Sequence, residues 1–193
     1  MHGRLRIVYS GAVGNRYAID RLIQAVHANP QACLLILGKK HALSEQEVEA
    51  ALARCPLGVR FLWVDEIPYA EMQEILPHAD VGFAHYLGDT LNTRFSAPGK
   101  LYEYLRAGLT LLSDDECCLR AEARSADCGA FFPTPGTVNG ISLSIAELCR
   151  RSAELPEMKQ RSRVLFDAHF SLEQQMQPLF ACLHERLSIP LCL

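Results

Sequence analysis

The sequence predicts an α/β fold: a doubly wound parallel sheet of about six strands, helices on both faces, and two further helices closing the chain. Three observations predict it. Short β-branched or continuously apolar runs alternate with helix-periodic segments about six times, and these runs end at glycines or helix-capping residues. The balance of 49% hydrophobic to 21% charged residues is that of a chain with a sizeable core. Successive parallel strands require a crossover, and the intervening helices supply it, so the pattern is Rossmann-like. At 193 residues the chain reads as one domain, its α/β core over about residues 4–151 and the closing helices over about 156–187.

Arg4 to Ser10 (RLRIVYS) is a β-branched and aromatic run closed by Gly11, and Tyr17 to Asn29 carries Ile19, Leu22, Ile23 and Val26 at helical spacing. Cys33 to Leu37 is continuously apolar, as in a strand buried on both faces, and Gly38 ends it. Ser44-Glu45-Gln46-Glu47 has capping-box form and opens a helix through Arg54. Val59 to Val64 reads as a strand, Tyr69 to Leu76 as a short helix behind Pro68, and Asp80 to His85 as another strand. The loop from about Tyr86 to Ala97 is long for a compact domain, a length usually tied to function. Pro98 suits the first position of a helix through Ala107, with Gly108 as its C-cap before the strand Leu109 to Leu112. Ser113-Asp114-Asp115-Glu116 repeats the capping pattern, so helix capping accounts for the paired aspartates. Gly129 to Phe132 is a last short strand and Asn139 to Arg151 a helix; Pro156 to His169 and Leu172 to Leu187 are the closing helices.

Composition removes several classes of function. The net charge of −3 comes from 22 acidic and 19 basic residues mixed along the chain, without the basic stripe that a nucleic acid needs. No apolar run approaches the ~18 to 20 residues that span a bilayer, and Met1-His2-Gly3-Arg4 leads into a strand instead of a signal peptide, so the expected location is the cytoplasm. The eight cysteines fall largely in apolar segments and read as free thiols. Cys-x-x-Cys and His-Glu-x-x-His are both absent, and no metal or bound cofactor is expected. Cys192 lies too close to the end for prenylation.

In a doubly wound sheet, ligands bind where the strands end, near the point at which strand order reverses. Two segments there carry chemistry. Ser10-Gly11-Ala12-Val13-Gly14-Asn15-Arg16 is a glycine-bearing turn that can offer backbone N–H groups and a guanidinium to a phosphate, or serve only as a tight turn. SAPGKLYEYLRAG (Ser96–Gly108) opens a helix with small residues, so its first N–H groups and positive dipole end face an anion. Lys100 adds a point charge, and Glu103, one turn on, can accept two sugar hydroxyls or form an ordinary Lys–Glu helix pair. His78 and His85 flank a strand and read as satisfied or exposed histidines ahead of a general base, His85 being nearer the long loop, and Tyr86, Tyr102 and Tyr104 read as packing residues with polar tips.

SAPGKLYEYLRAG closely resembles the Pro-Ser-Lys-Leu-x-Glu-Tyr-x-x-x-Gly signature of family 4-like (group 1) glycosyltransferases, whose two Rossmann-like lobes clasp a nucleotide-sugar. IVYSGAVGNRYAIDRLIQAV, CLLILGK, VRFLWVDEIPYAEMQEILPHADVGFAHY and CGAFFPTPGTVNGISLSIAEL are similar, in order, to the other segments of that family's carboxyl-terminal lobe. The resemblance spans about residues 5–150 and implies a lobe that binds a nucleoside diphosphate-sugar and transfers its sugar, with retention, to a saccharide or lipid-linked acceptor. It places Gly11, Gly14, Arg16, Lys100 and the backbone at Pro98, Gly99 and Leu101 at the diphosphate. Glu103 falls at the ribose, and Trp63 and Val64 by the base. It implies no metal, assigns no catalytic residue within the chain, and leaves the amino-terminal acceptor lobe to be supplied in cis or as a separate chain. Phe95 stands where the family often has the first of two glutamates, and Leu109-Thr110-Leu111 replaces the usual Pro-Val. The alternatives are a non-catalytic Rossmann-like scaffold and a two-lobed sugar-nucleotide epimerase.

Overall fold

A computed structural model describes residues 3–14, 17–86, 91, 99–113, 131–133 and 135–187. Six strands, β1 (Leu5–Ser10), β2 (Ala32–Leu37), β3 (Phe61–Val64), β4 (Val81–Ala84), β5 (Thr110–Ser113) and β6 (Phe131–Pro133), form one sheet in the order β3-β2-β1-β4-β5-β6. All pairs are parallel, with Leu5 opposite Ala32 and Ile7 opposite Val81. Strand order reverses between β1 and β4, so the crevice of this doubly wound sheet opens at their carboxyl ends.

The helices are α1 (Ile19–Ala28), α2 (Ala42–Arg54), α3 (Tyr69–Ile75), α4 (Gly99–Ala107), α5 (Val138–Arg150), α6 (Leu155–Leu165) and α7 (Leu172–Leu187). Strand alternation splits the core into two layers. On one face Ile7, Tyr9, Leu34 and Ile36 meet Leu22, Ile23 and Val26 of α1, Val48 of α2 and Ile141 and Ile145 of α5. On the other, Val8, Ala84 and Leu111 meet Leu101, Tyr104 and Leu105 of α4, joined by Leu76 and Leu165. α6 contributes Leu155 and Met158 to the first layer and Leu165 to the second. Its Ser162 hydroxyl donates to the Leu109 carbonyl at 2.8 Å.

Most element ends differ from the expected ones by a residue or two. α2 begins at Ala42, so Ser44 lies inside the first turn; its hydroxyl donates to the His41 carbonyl at 3.0 Å and accepts the His41 N–H at 3.3 Å. β3 starts at Phe61 because Gly58–Arg60 form a 3₁₀ turn, whose Arg60 guanidinium donates to the carbonyls of Val26, Asn29 and Ala32. β4 runs from Val81, one residue after Asp80, whose backbone bonds to Arg6 and Thr110 on either side while its carboxylate accepts N–H groups from Arg6. The helix expected to reach His169 gives way to a π-helical turn, Phe166–Phe170, whose last residue is buried against α4. The expected cap at Asp114–Glu116 and most of the loop after Tyr86 lie outside the described residues.

α4 ends as its sequence foretells. Gly108 takes a φ of +73°, its N–H donates to Leu105 and the Leu109 N–H to Tyr104, the paired bonds of a Schellman cap.

Candidate functional site

The site lies at the crevice, where α4 starts above β1 and β4. Tyr104 anchors this helix: fully buried, its hydroxyl accepts the Ser10 N–H at 2.8 Å and donates to the Phe83 carbonyl at 3.4 Å. The ring lies flat against β4 because Gly82 has no side chain; a Cβ there would collide with it. Burial pushes the Tyr104 phenol well above its usual range, so it remains a neutral hydrogen-bonding group.

With α4 held so, its first turn reaches the glycine turn after β1. Lys100 extends to Gly11, where a Cβ would lie 3.6 Å from its Nζ. A φ of +110° favours glycine at position 11, and the Gly11 carbonyl in turn requires glycine at 38, where any Cβ would collide with it. The Gly11 N–H donates to Leu37 at 2.8 Å and the Gly38 N–H to Val64 at 3.1 Å, lacing the ends of three strands together. Burial pushes the Lys100 amine down to about 7, while Glu103 acts in the opposite direction. Leu101 is fully buried, so only its backbone could serve a ligand.

Glu103 lies on the outer face of α4, in a groove of about 380 Å³ lined also by Gly99, Tyr102, Arg106, Tyr69 of α3, and Phe166, Phe170 and Gln175. Partial burial raises its carboxyl above the usual range, opposed by Arg106 and Lys100. Arg106 donates to the Tyr69 hydroxyl at 3.3 Å and to Gln73, holding the groove's far wall.

Not every expected site residue joins this group. Gly14 stands in open space and accepts the Tyr17 N–H at 3.0 Å, so close packing does not require a glycine there. Trp63 and Val64 point to opposite faces of the sheet. The Trp63 indole donates to the Gly38 carbonyl at 2.9 Å and packs with the α1 layer, whereas Val64 packs with the α4 layer that bears Glu103. His85 is buried, stacked on Phe83 and covered by Gly136, while His78 is exposed in a 3₁₀ turn at the opposite rim of the sheet. Arg16 and Pro98 lie outside the described residues. From the sequence Tyr86 reads as a packing residue and Tyr17 as the start of a helix, yet both rings contact the Lys100 ammonium; nothing in local spacing links residues so far apart in the chain.

No known family model and no curated protein matches the sequence. Solved structures do. Sucrose-phosphate synthase from Thermosynechococcus elongatus is 18% identical with a TM-score of 0.75, covering 94% of this chain and 46% of its own. Anabaena HepE, solved in complex with UDP-glucose, is 11% identical with a TM-score of 0.75, covering 94% and 49%. The carboxyl-terminal domain of LpcC, a group 1 family glycosyl transferase from Francisella tularensis, is 12% identical with a TM-score of 0.70, covering 88% of each chain. The fold is therefore that of the carboxyl-terminal lobe of group 1 glycosyltransferases, and the chain spans about half the length of the first two structures.

Proposed function

We propose that the chain is the donor-binding lobe of a nucleotide-sugar-dependent glycosyltransferase. One observation carries the reading: at the crevice of the sheet, Lys100 in the first turn of α4 meets the glycine turn at Gly11. Those are the two segments that sequence alone nominates for a phosphate. In this reading the diphosphate lies between Gly11, Gly14 and Arg16 on one side and the backbone of Pro98, Gly99 and Leu101 with Lys100 on the other. Charge accumulates on the diphosphate as the glycosidic bond breaks, and N–H groups, the helix dipole and an ammonium stabilise it most at that moment. Glu103 accepts the ribose hydroxyls in its groove, and the base lies toward Val64 and Trp63.

Transfer needs a second lobe, in cis or as a separate chain. α7 offers a surface for it, with Met176, Leu179, Phe180 and Leu183 along one stripe that the described residues leave partly or fully exposed. Among the described residues no helix is long and apolar enough to cross a membrane.

Calorimetry of the chain against UDP, GDP, ADP and their sugar conjugates tests the reading, and one diphosphate should bind. Lys100→Ala and Glu103→Ala should each weaken it while circular dichroism shows the fold retained; if both bind like wild type, the site assignment fails. Phe95 in place of a glutamate favours a second reading, a lobe that binds nucleotide as a scaffold without transfer. Such a chain stays inactive when its partner lobe and an acceptor are added.

A further inference from the structure

The Lys100 ammonium lies 4.1 Å from the ring centroid of Tyr9, 4.7 Å from Tyr17 and 5.3 Å from Tyr86, all within the range of cation–π attraction. The three rings come from three parts of the fold: β1, the residues before α1, and the residues after β4. They also brace one another, with Tyr9 and Tyr17 centroids 6.1 Å apart and Tyr17 meeting Tyr86 edge-on at 5.5 Å. Ala18, between Tyr17 and α1, takes a left-handed φ of +52°, which disfavours an alanine and persists only where surrounding packing enforces it.

We propose that Tyr17 and Tyr86, with Tyr9, are positioning residues whose ring faces hold the Lys100 ammonium over Gly11 and keep it charged in place of a carboxylate. A cation moved out of water normally needs an anion. Among the described residues, the charged group acting on this amine is Glu103, one turn along its own helix; the groups facing it from β1, the α1 side and β4 are the three phenols. Desolvation drives the amine toward neutrality, and the negative faces of the rings oppose it, so the rings decide how much of the charge survives near pH 7. An ammonium committed to a carboxylate would have to exchange partners when a phosphate arrives. One held by ring faces meets the phosphate with its charge unspent. That the guest is a phosphate rests on the function proposed above; the hold of the rings on the charge does not.

The test is the titration of Lys100 itself, followed by NMR with lysine ¹³C-labelled at Cε and assigned through Lys100→Met, in wild type, Tyr17→Phe, Tyr17→Leu and Tyr86→Leu. Circular dichroism confirms that each is folded. Tyr17→Phe, which keeps the ring, should titrate like wild type, and each leucine variant should lower the midpoint by roughly half a pH unit to one and a half. Calorimetry with the diphosphate that binds wild type should then show the leucine variants weakened about 3- to 30-fold at pH 7.5, narrowing toward pH 6, and no further loss when Tyr17→Leu is added to Lys100→Met. An unmoved midpoint in both leucine variants, or a phenylalanine variant that behaves as leucine, overturns the proposal. If no diphosphate binds wild type, the donor reading falls while the titration still decides the role of the rings.

Discussion

The two rims of the sheet treat buried charge in opposite ways. At the amino-terminal rim, Asp80 accepts the Arg6 backbone N–H at 2.9 Å and two guanidinium N–H groups at 2.9 and 2.6 Å. Lys159 approaches the same carboxylate at 4.0 Å and donates to the carbonyls of Pro77 and Ala79 at 3.1 and 2.5 Å. Charge and hydrogen-bonding capacity there are consumed within the protein, and what results is a clamp that fixes where β1 and β4 begin. At the carboxyl-terminal rim, Lys100 lies among tyrosines above a glycine. A cluster that satisfies itself builds the fold; a cation left with ring faces is available to a guest.

Asp80→Ala should break that contrast most severely. Removing the carboxylate leaves Lys159 and Arg6 without their anion, and urea unfolding should show a loss of about 3 kcal/mol, toward the low end for buried pairs because Arg6 is half-exposed. Binding by the remaining folded protein should be unchanged. At the other rim Lys100→Met should reverse the pattern, weakening diphosphate binding by about 1.5 to 3 kcal/mol in calorimetry with no loss of stability.

A pH series sharpens the comparison. The Lys100 amine is lowered to about 7 in the folded chain. Between there and the ordinary lysine range the unfolded chain binds the extra proton, so stability attributable to this residue rises with pH, with a limiting slope of about 1.4 kcal/mol per pH unit. Urea unfolding from pH 7 to 9 should show that rise in wild type relative to Lys100→Met, and diphosphate affinity should fall over the same interval. Glu103→Gln should cost nucleoside diphosphate binding about 1 kcal/mol while leaving inorganic pyrophosphate unaffected. The smallest effect is expected at Arg150→Ala on α5: its pair with Glu147 is as short as 2.6 Å but exposed and screened by water, and thermal melting should be unchanged.

Much of this was legible in the sequence because its signals are local. Glycines at 11, 38 and 108 mark element ends, and a helix from Pro98 through Ala107 with Gly108 as its cap is readable from the proline and the glycine; the described helix runs Gly99–Ala107. Topology points to the strand ends, where both segments lie, and the family resemblance brings Lys100 and Gly11 to one ligand; the contact between them is visible only in the fold. What escaped notice depends on side chains from distant segments. A tyrosine before a helix and another after a strand carry no mark that they will share one ammonium. Strand alternation separates Trp63 from Val64, but only the Gly38 carbonyl reveals which face holds the indole. Ser44 misled because a capping-box pattern read from the sequence does not say which residue starts the turn.

The bond from the Ser10 amide to the Tyr104 hydroxyl gives this rim a built-in gauge. That amide, at the end of β1, is sheltered by a side chain of α4. Its hydrogen-exchange rate therefore reports how often the helix lifts from the sheet, separately from how often the sheet itself opens. A ligand gripped by Lys100 and the first turn of α4 would slow exchange at Ser10 more than at amides deep in β1, so one proton can register occupancy of the crevice.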